Sequence, residues 1–123
     1  MSEHLFLNID GQIEEAAKIV FAALGFKSSY QEGDSSHVSG GVYYSYSILG
    51  VQVKLEENGY DYDDKYNYMI GLRKDAFSSL KIDETIIKSL ANIVIRLLVV
   101  NVKTEVAYEI DDNKLEVFGN VSK

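Results

Sequence analysis

The residues from Glu56 to Asp64 read Glu-Glu-Asn-Gly-Tyr-Asp-Tyr-Asp-Asp, with five carboxylates, two tyrosines and no basic side chain. The whole chain stands at −7, so this run carries most of its net charge. Tyr66 and Tyr68 follow directly. Carboxylates interleaved with phenol rings suit the capture of a basic protein surface. The acids attract over distance, and the rings offer rigid contact area at low entropic cost. The competing reading is a solvated hairpin tip whose charges blunt a sheet edge and aid solubility.

Other chemistries fit the sequence less well. Asp61, Asp63 and Asp64 resemble the opening of a calcium-binding EF-hand loop. The register then places Tyr66 where glycine is needed and Leu72 where a bidentate glutamate is needed. His4 and His37 lack a second ligand at metal-binding spacing, so no metal or cofactor is expected. His37 lies beside Ser35, Ser36 and Ser39, but nothing there makes the strained elbow that a nucleophilic serine requires. The glycine-rich stretch from Gly33 to Gly41 is not followed by the Lys-Ser or Lys-Thr of a phosphate loop.

Composition narrows the classes further. A chain of 123 residues with 46% hydrophobic and 25% charged residues is expected to form one domain, residues 1–123, with a core of its own. It contains no cysteine, which excludes disulfides, thiol nucleophiles and zinc–thiolate sites. The lack of a basic start followed by an apolar stretch predicts no signal peptide. The apolar region from Ile86 to Val102 is interrupted by Lys88, Ser89, Asn92 and Arg96, so a buried helix is expected there and not a membrane span. A cytoplasmic protein is the expectation. A pI near 4.7 disfavours direct nucleic-acid binding, because phosphates would be repelled.

The elements that must hold the acidic run follow from periodicity. Leu5, Leu7 and Ile9 alternate with His4, Phe6 and Asn8 as in a strand. Asp10 is placed to cap a helix from Gly11 to about Leu24, with Ile13, Ala16, Ala17, Val20 and Leu24 as its buried stripe and Gly25 as its left-handed stop. Phe26 to Glu32 is expected to be an irregular edge strand and Gly33 to Gly41 a mobile loop. Val42 to Ile48 is a strand with Val42, Tyr44, Tyr46 and Ile48 on one face and Tyr43, Ser45 and Ser47 on the other. Leu49-Gly50 is its turn, and Val51, Val53 and Leu55 resume the alternation. After the acidic run, Tyr66, Tyr68, Ile70 and Leu72 are expected on one face of a further strand, opposite Asn67, Met69 and Gly71. Asp83 caps a second helix running to about Val102, with Ile82 and Ile87 as a staple. Its predicted stripe is Ile86, Leu90, Ile93, Val94, Leu97 and Asn101, widened by Ile87 and Leu98. The β-branched residues from Ile93 onward also suit a strand, but the cap and the period favour helix. Val106, Tyr108 and Ile110 form a closing hairpin with Leu115 and Val117, turning at Asp111-Asp112-Asn113.

The order is β-α-(β)-β-β-β-α-β-β, an α+β fold in which two helices cover one face of an antiparallel β-meander. The second sheet face, with Tyr43, Asn67 and Met69, is then left open to a partner.

The pattern Ser28-Ser29-Tyr30-Gln31-Glu32-Gly33, Gly40-Gly41-Val42-Tyr43-Tyr44, Leu49-Gly50-Val51-Gln52-Val53-Lys54-Leu55, then the acidic run and Tyr66-Asn67-Tyr68, resembles small acidic bacterial immunity proteins. Those are encoded beside contact-dependent growth inhibition systems and other polymorphic toxins. The likeness covers about Phe26 to Leu72. It implies a cytoplasmic inhibitor, not an enzyme, acting as monomer or homodimer on one cognate toxin domain. The resemblance implies a nuclease as that partner, with a cleft made basic to hold phosphate. On that reading Glu56, Glu57, Asp61, Asp63 and Asp64 steer the encounter, and Tyr60, Tyr62 and Tyr66 anchor it. A small adaptor or self-associating module is the alternative, followed by a carboxylate-dependent enzyme, which would need two carboxylates in one cleft.

Overall fold

A computed structural model describes residues 2–26, 30–34, 41–59, 65–76, 78–111 and 114–119. Among them are seven strands and two helices: β1 (Ser2–Leu7), α1 (Ile13–Ala23), β2 (Gln31–Asp34), β3 (Val42–Ile48), β4 (Val51–Glu57), β5 (Tyr68–Lys74), α2 (Glu84–Asn101), β6 (Val106–Asp111) and β7 (Lys114–Phe118). The strands make one sheet in the order β2-β3-β4-β5-β1-β6-β7, and every neighbouring pair is antiparallel. The chain is therefore α+β, with β1 inserted between the meander β2–β5 and the hairpin β6–β7.

Alternation decides which side chains meet the helices. Leu5 and Leu7 of β1, Val51, Val53 and Leu55 of β4, and Ile70 and Leu72 of β5 join Ala16, Val20 and Phe21 of α1 and Ile87, Ala91 and Leu98 of α2 in one buried cluster. Both helices therefore lie on the same sheet face. At its β2–β3 end the cluster turns aromatic: Phe21 stacks on Tyr30 with ring centroids 4.7 Å apart, and Phe26 stacks on Tyr46 at 4.1 Å. The Tyr44 hydroxyl donates to Glu32 Oε1 at 3.2 Å.

Local chemistry sets the element ends. Asp83 caps α2, its Oδ1 accepting from the Ile86 N–H at 3.0 Å, and Ile82 packs on the same core as Ile87. The α1 start differs from expectation: Gln12, not Asp10, is the N-cap residue. The Tyr68 hydroxyl donates to the Gly11 carbonyl at 2.7 Å, which pins the chain at a left-handed Gly11 (φ 103°) and delays the helix. Glu15 Oε1 then accepts from the Gln12 N–H at 3.3 Å. The helix stops at Gly25 as expected, with Phe26 N–H donating to the Phe21 carbonyl at 2.8 Å and Gly25 N–H to Ala22 at 3.0 Å, a Schellman closure.

Three further expectations are corrected. Gly33 and Asp34 belong to β2 and not to a loop, because they pair with Tyr43 and Val42; residues 35–40, including His37, lie outside the described residues, as do 112 and 113 of the closing turn. Tyr66 does not share the face of Tyr68. The strand starts only at Tyr68, and Asn67 is drawn off it by two hydrogen bonds to Ile9: its Nδ2 donates to the Ile9 carbonyl at 2.8 Å, and its Oδ1 accepts from the Ile9 N–H at 3.1 Å. The buried stripe of α2 is Ile87, Ala91, Val94, Ile95 and Leu98, rotated from the predicted one. Ala91, at its centre, is fully buried, and α2 packs on β1, which the β5–α2–β6 connection must cross.

The β3–β4 turn places Leu49 at φ 53° and Gly50 at φ 81°. Positive φ at both central positions is the signature of a type I′ turn. Leucine at such a position costs roughly 1 kcal/mol, and its side chain is exposed, so it recovers little by burial. Leu49→Asn is expected to raise unfolding stability by about 1 kcal/mol in urea titration.

Four buried tyrosines set an alkaline limit. Burial, then the hydrogen bond to Glu32, pushes Tyr44 up to about 12. Burial, then the hydrogen bond to Glu105, pushes Tyr66 up to about 12. Tyr68 is raised mainly by burial, and Tyr108 is raised by burial and by donation to the buried Glu3. A phenol whose pKa is higher in the folded state stabilises the fold fully below its unfolded pKa, and that contribution disappears as pH rises toward the folded value. Melting temperature is therefore expected to fall between about pH 10 and 12, with tyrosinate absorbance from these four rings rising together with unfolding.

Candidate functional site

The sheet face away from the helices is built in rows by the strand register. Gly33, Tyr43, Glu56, Met69, Phe6, Ala107 and Val117 lie side by side across all seven strands. The next row holds Gln31, Ser45, Lys54, Gly71 and His4. Beyond it come Ser47, Gln52, Arg73 and Ser2.

The rows divide into a closed half and an open half. Toward β6, Phe6, Met69 and Ala107 are buried under Tyr66, with Leu115 packed at the margin. Tyr66 reaches this position because the chain bends at Asn67, and its hydroxyl donates to Glu105 Oε2 at 2.8 Å. Its ring centroid is 6.3 Å from that of Phe6. Burying an aromatic residue of β1 on the face without helices is the physical reason for this second, smaller core.

Toward β3 the face stays open. Gly71 carries no side chain, and around it lies a depression of about 220 Å³ lined by Ser2, His4, Gln52, Lys54, Glu56, Met69 and Arg73. A second hollow, of about 530 Å³, adjoins it through Gln52 and Arg73 and reaches Tyr43, Ser45 and Ser47. The surrounding polar groups are held in place. Lys54 Nζ lies 3.6 Å from Glu56 Oε2 and 5.1 Å from the centroid of the Tyr43 ring, a cation–π distance. Arg73 Nε donates to Gln52 Oε1 at 3.1 Å. His4 Nδ1 is 3.7 Å from Glu109 Oε1.

Tyr43 is fixed by what lies beneath it. A Cβ built on Gly33 would come within 2.3 Å of the Tyr43 ring, so only glycine at that edge position lets the phenol lie flat across β2. Gly71 is different: a Cβ there would meet only His4 Cδ2, at 3.8 Å. That position is open space and not a steric requirement.

The residues expected to bind a partner therefore separate. Glu57 is exposed at the end of β4. Glu56 is 1% exposed and belongs to the sheet face beside Lys54, and Tyr66 is 7% exposed beneath the chain bend. These two are corrected from free surface groups to internal ones, because one sits in a strand row between Tyr43 and Met69 and the other covers Phe6. Tyr60, Asp61, Tyr62, Asp63 and Asp64 lie outside the described residues. On either side of them the described chain is joined: Asn58 N–H donates to the Asn67 carbonyl at 3.0 Å, and Asn58 Nδ2 to the Tyr66 carbonyl at 3.0 Å. Asn8 ties this joint to β1, its Nδ2 donating to the Lys65 carbonyl at 2.7 Å and its Oδ1 accepting from the Asn67 N–H at 2.8 Å.

Tyr43 is where the sequence led, on the uncovered face with Ser45 and Ser47. His4, Gln52, Lys54 and Arg73 were not singled out as site residues. The alternation Val51, Val53, Leu55 against Gln52, Lys54, Glu56 already places the latter three on the uncovered face, but only the strand order brings His4 and Arg73 beside them. No helix among the described residues is long and apolar enough to cross a membrane. No protein-family model matches the chain, and no curated protein or solved structure matches it either.

Filling the depression is expected to separate stability from binding. Gly71→Val introduces a residue better suited to a strand interior into open space. Thermal unfolding is expected at the wild-type temperature or above, while affinity for a partner seated on this face, measured by calorimetry, falls by about tenfold or more.

Proposed function

We propose that this chain is an immunity-type inhibitor that binds one cognate basic toxin domain, a nuclease in the reading favoured by the sequence resemblance. The observation that carries the reading is the uncovered half of the sheet, where Tyr43 lies flat over Gly33 and under Lys54 beside two adjoining hollows. A rigid aromatic residue with its neighbours already ordered is well suited to act as an interface anchor, since little freedom is lost on binding. The acidic run supplies the complementary part. It follows β4 in the sequence on a chain of charge −7, and it would draw a phosphate-gripping cleft toward the protein. In this division of labour Glu57, Asp61, Asp63 and Asp64 steer, Tyr60 and Tyr62 join Tyr43 as contact residues, and Glu56 and Tyr66 support the surface from within.

A carboxylate-dependent enzyme has less support: among the described residues each of the two hollows is lined by a single carboxylate, Glu56 beside Lys54 in the first and Asp75 in the second. General acid–base catalysis of that kind needs two carboxylates with separated pKa values.

The test is the association of the purified chain with the toxin domain encoded beside it, followed by stopped flow at low and high salt. The triple substitution Asp61→Asn, Asp63→Asn, Asp64→Asn is expected to slow association by about tenfold at low salt and to flatten the salt dependence. Tyr43→Ala is expected to speed dissociation while leaving the association rate nearly unchanged. Wild-type kinetics in both variants would remove the acidic run and the open face as the recognition surface.

A further inference from the structure

The rows through Lys54 and Arg73 on the open face carry no carboxylate at any of their paired positions, although the chain has 19 acidic residues. Glu56 borders the Gly71 hollow, and Glu109 lies beyond His4. Each has a basic side chain beside it, Lys54 Nζ at 3.6 Å from Glu56 and His4 Nδ1 at 3.7 Å from Glu109. The Glu56 side chain is 2% exposed, so its charge is turned to its neighbours and not to the hollow. Arg73 is different. It is exposed, it lines both hollows, and its guanidinium forms no ion pair among the described residues. Its Nε donates to Gln52 Oε1 at 3.1 Å. That bond orients the guanidinium plane and leaves the two Nη groups as a fork, the geometry that matches the paired oxygens of a carboxylate or phosphate. Gln52, with its Oε1 engaged, keeps its Nε2 amide as a further donor.

We propose that the Gly71 hollow binds the oxyanion group of a small acid, gripped by the Arg73 fork with Gln52, Lys54 and His4 around it. Gly71 provides the space, since even a Cβ there would meet only His4 Cδ2, at 3.8 Å. The hollow, of about 220 Å³, is smaller than the roughly 300–1,000 Å³ that drug-sized ligands occupy, so it suits the anionic group and not a whole large molecule. The rest of the acid has room in the adjoining hollow of about 530 Å³, which Arg73 and Gln52 share with Ser45, Ser47 and Asp75. The Asp75 carboxylate there disfavours a second negative charge, so the ligand class is a monoacid with a neutral or cationic polar body. The inference goes beyond the toxin-binding reading and does not rest on it, because the anion requires no protein partner.

The test titrates the purified chain with sodium acetate and, separately, with sodium phosphate, ionic strength being held constant with sodium chloride. Amide signals of Gly71 and Gln52 and the His4 ring signals in NMR spectra are expected to shift saturably with at least one of the two anions, with a dissociation constant of about 1–10 mM. Saturation by acetate assigns a carboxylate as the recognised group, and saturation by phosphate alone assigns a phosphate. Arg73→Gln is expected to weaken binding by about tenfold or more, and Arg73→Lys by several-fold, since lysine keeps the charge and loses the fork. Arg73 is exposed, so both variants are expected to retain the wild-type circular dichroism spectrum. Gly71→Val, which fills the hollow, is expected to abolish the shifts at Gln52 and His4. Lys18→Gln, an equal loss of charge on α1, is the control and is expected to bind as the wild type does. The absence of a saturable shift with either anion overturns the proposal. So does wild-type affinity in Arg73→Gln, or an equal loss in Lys18→Gln, which would reduce the binding to the net charge of the chain.

Discussion

Two helices against seven strands give the sheet one dry face and one wet face, and most of the molecule follows from that asymmetry. The hydrophobic gain is concentrated on the helix side, so β4 alternates, with Val51, Val53 and Leu55 inward and Gln52, Lys54 and Glu56 outward. The rule fails around β1, where Phe6 together with Met69 of β5 and Ala107 of β6 is apolar and buried on the other face. β1 lies between β5 and β6, and its Phe6 on the helix-free face forces the chain to supply a second cover there. Tyr66 provides it, and the bend at Asn67 that turns Tyr66 over the sheet also joins the described chain on either side of the acidic run. Core and candidate site thus share one cause: the need to bury both sides of a central strand with helices on one side only.

The parts of this arrangement visible in sequence are those determined by short-range chemistry. Asp83 announces the start of α2, Gly25 the end of α1 and Leu49-Gly50 the turn between β3 and β4, because caps and turns depend on a few adjacent residues. The strand faces of β3 and β4 were equally legible from their period of two. What could not be read depends on distant partners. Tyr66 looks like the next member of an alternating strand until Ile9, far away in the chain, takes the Asn67 amide. Gly33 reads as part of a loop until Tyr43 is found lying across it. On α2 either stripe would make a respectable core, and packing against the sheet selects the one centred on the fully buried Ala91.

The same reasoning applies to the candidate site. Tyr43 was legible because its parity alone assigns it to the uncovered face. The cluster around Gly71 was not, since His4, Lys54 and Arg73 come from three strands whose adjacency is a matter of topology. Glu56 shows how composition misleads: in the sequence it begins a run of acids, whereas in the fold it is buried within β4 and lies beside Lys54. The surface groups themselves are tied down by their neighbours, Lys54 by Glu56 and Tyr43, Arg73 by Gln52 and His4 by Glu109. A face ordered in this way offers a fixed pattern of charge and shape, which favours selectivity for one partner over general stickiness.

The central position of β1 also bears on the order in which the fold can be assembled. β1 precedes both of its neighbours in the chain, and those neighbours begin only at Tyr68 and Val106. During synthesis on the ribosome, Leu5, Phe6 and Leu7 therefore emerge long before any strand exists to pair with them. The meander from β2 to β5 can close through local hairpins in the meantime, but β1 must then join it across more than sixty residues, and long-range closures of this kind are slow. Until they are complete, the nascent chain presents an unpaired strand with apolar residues on both faces, the kind of segment a chaperone holds.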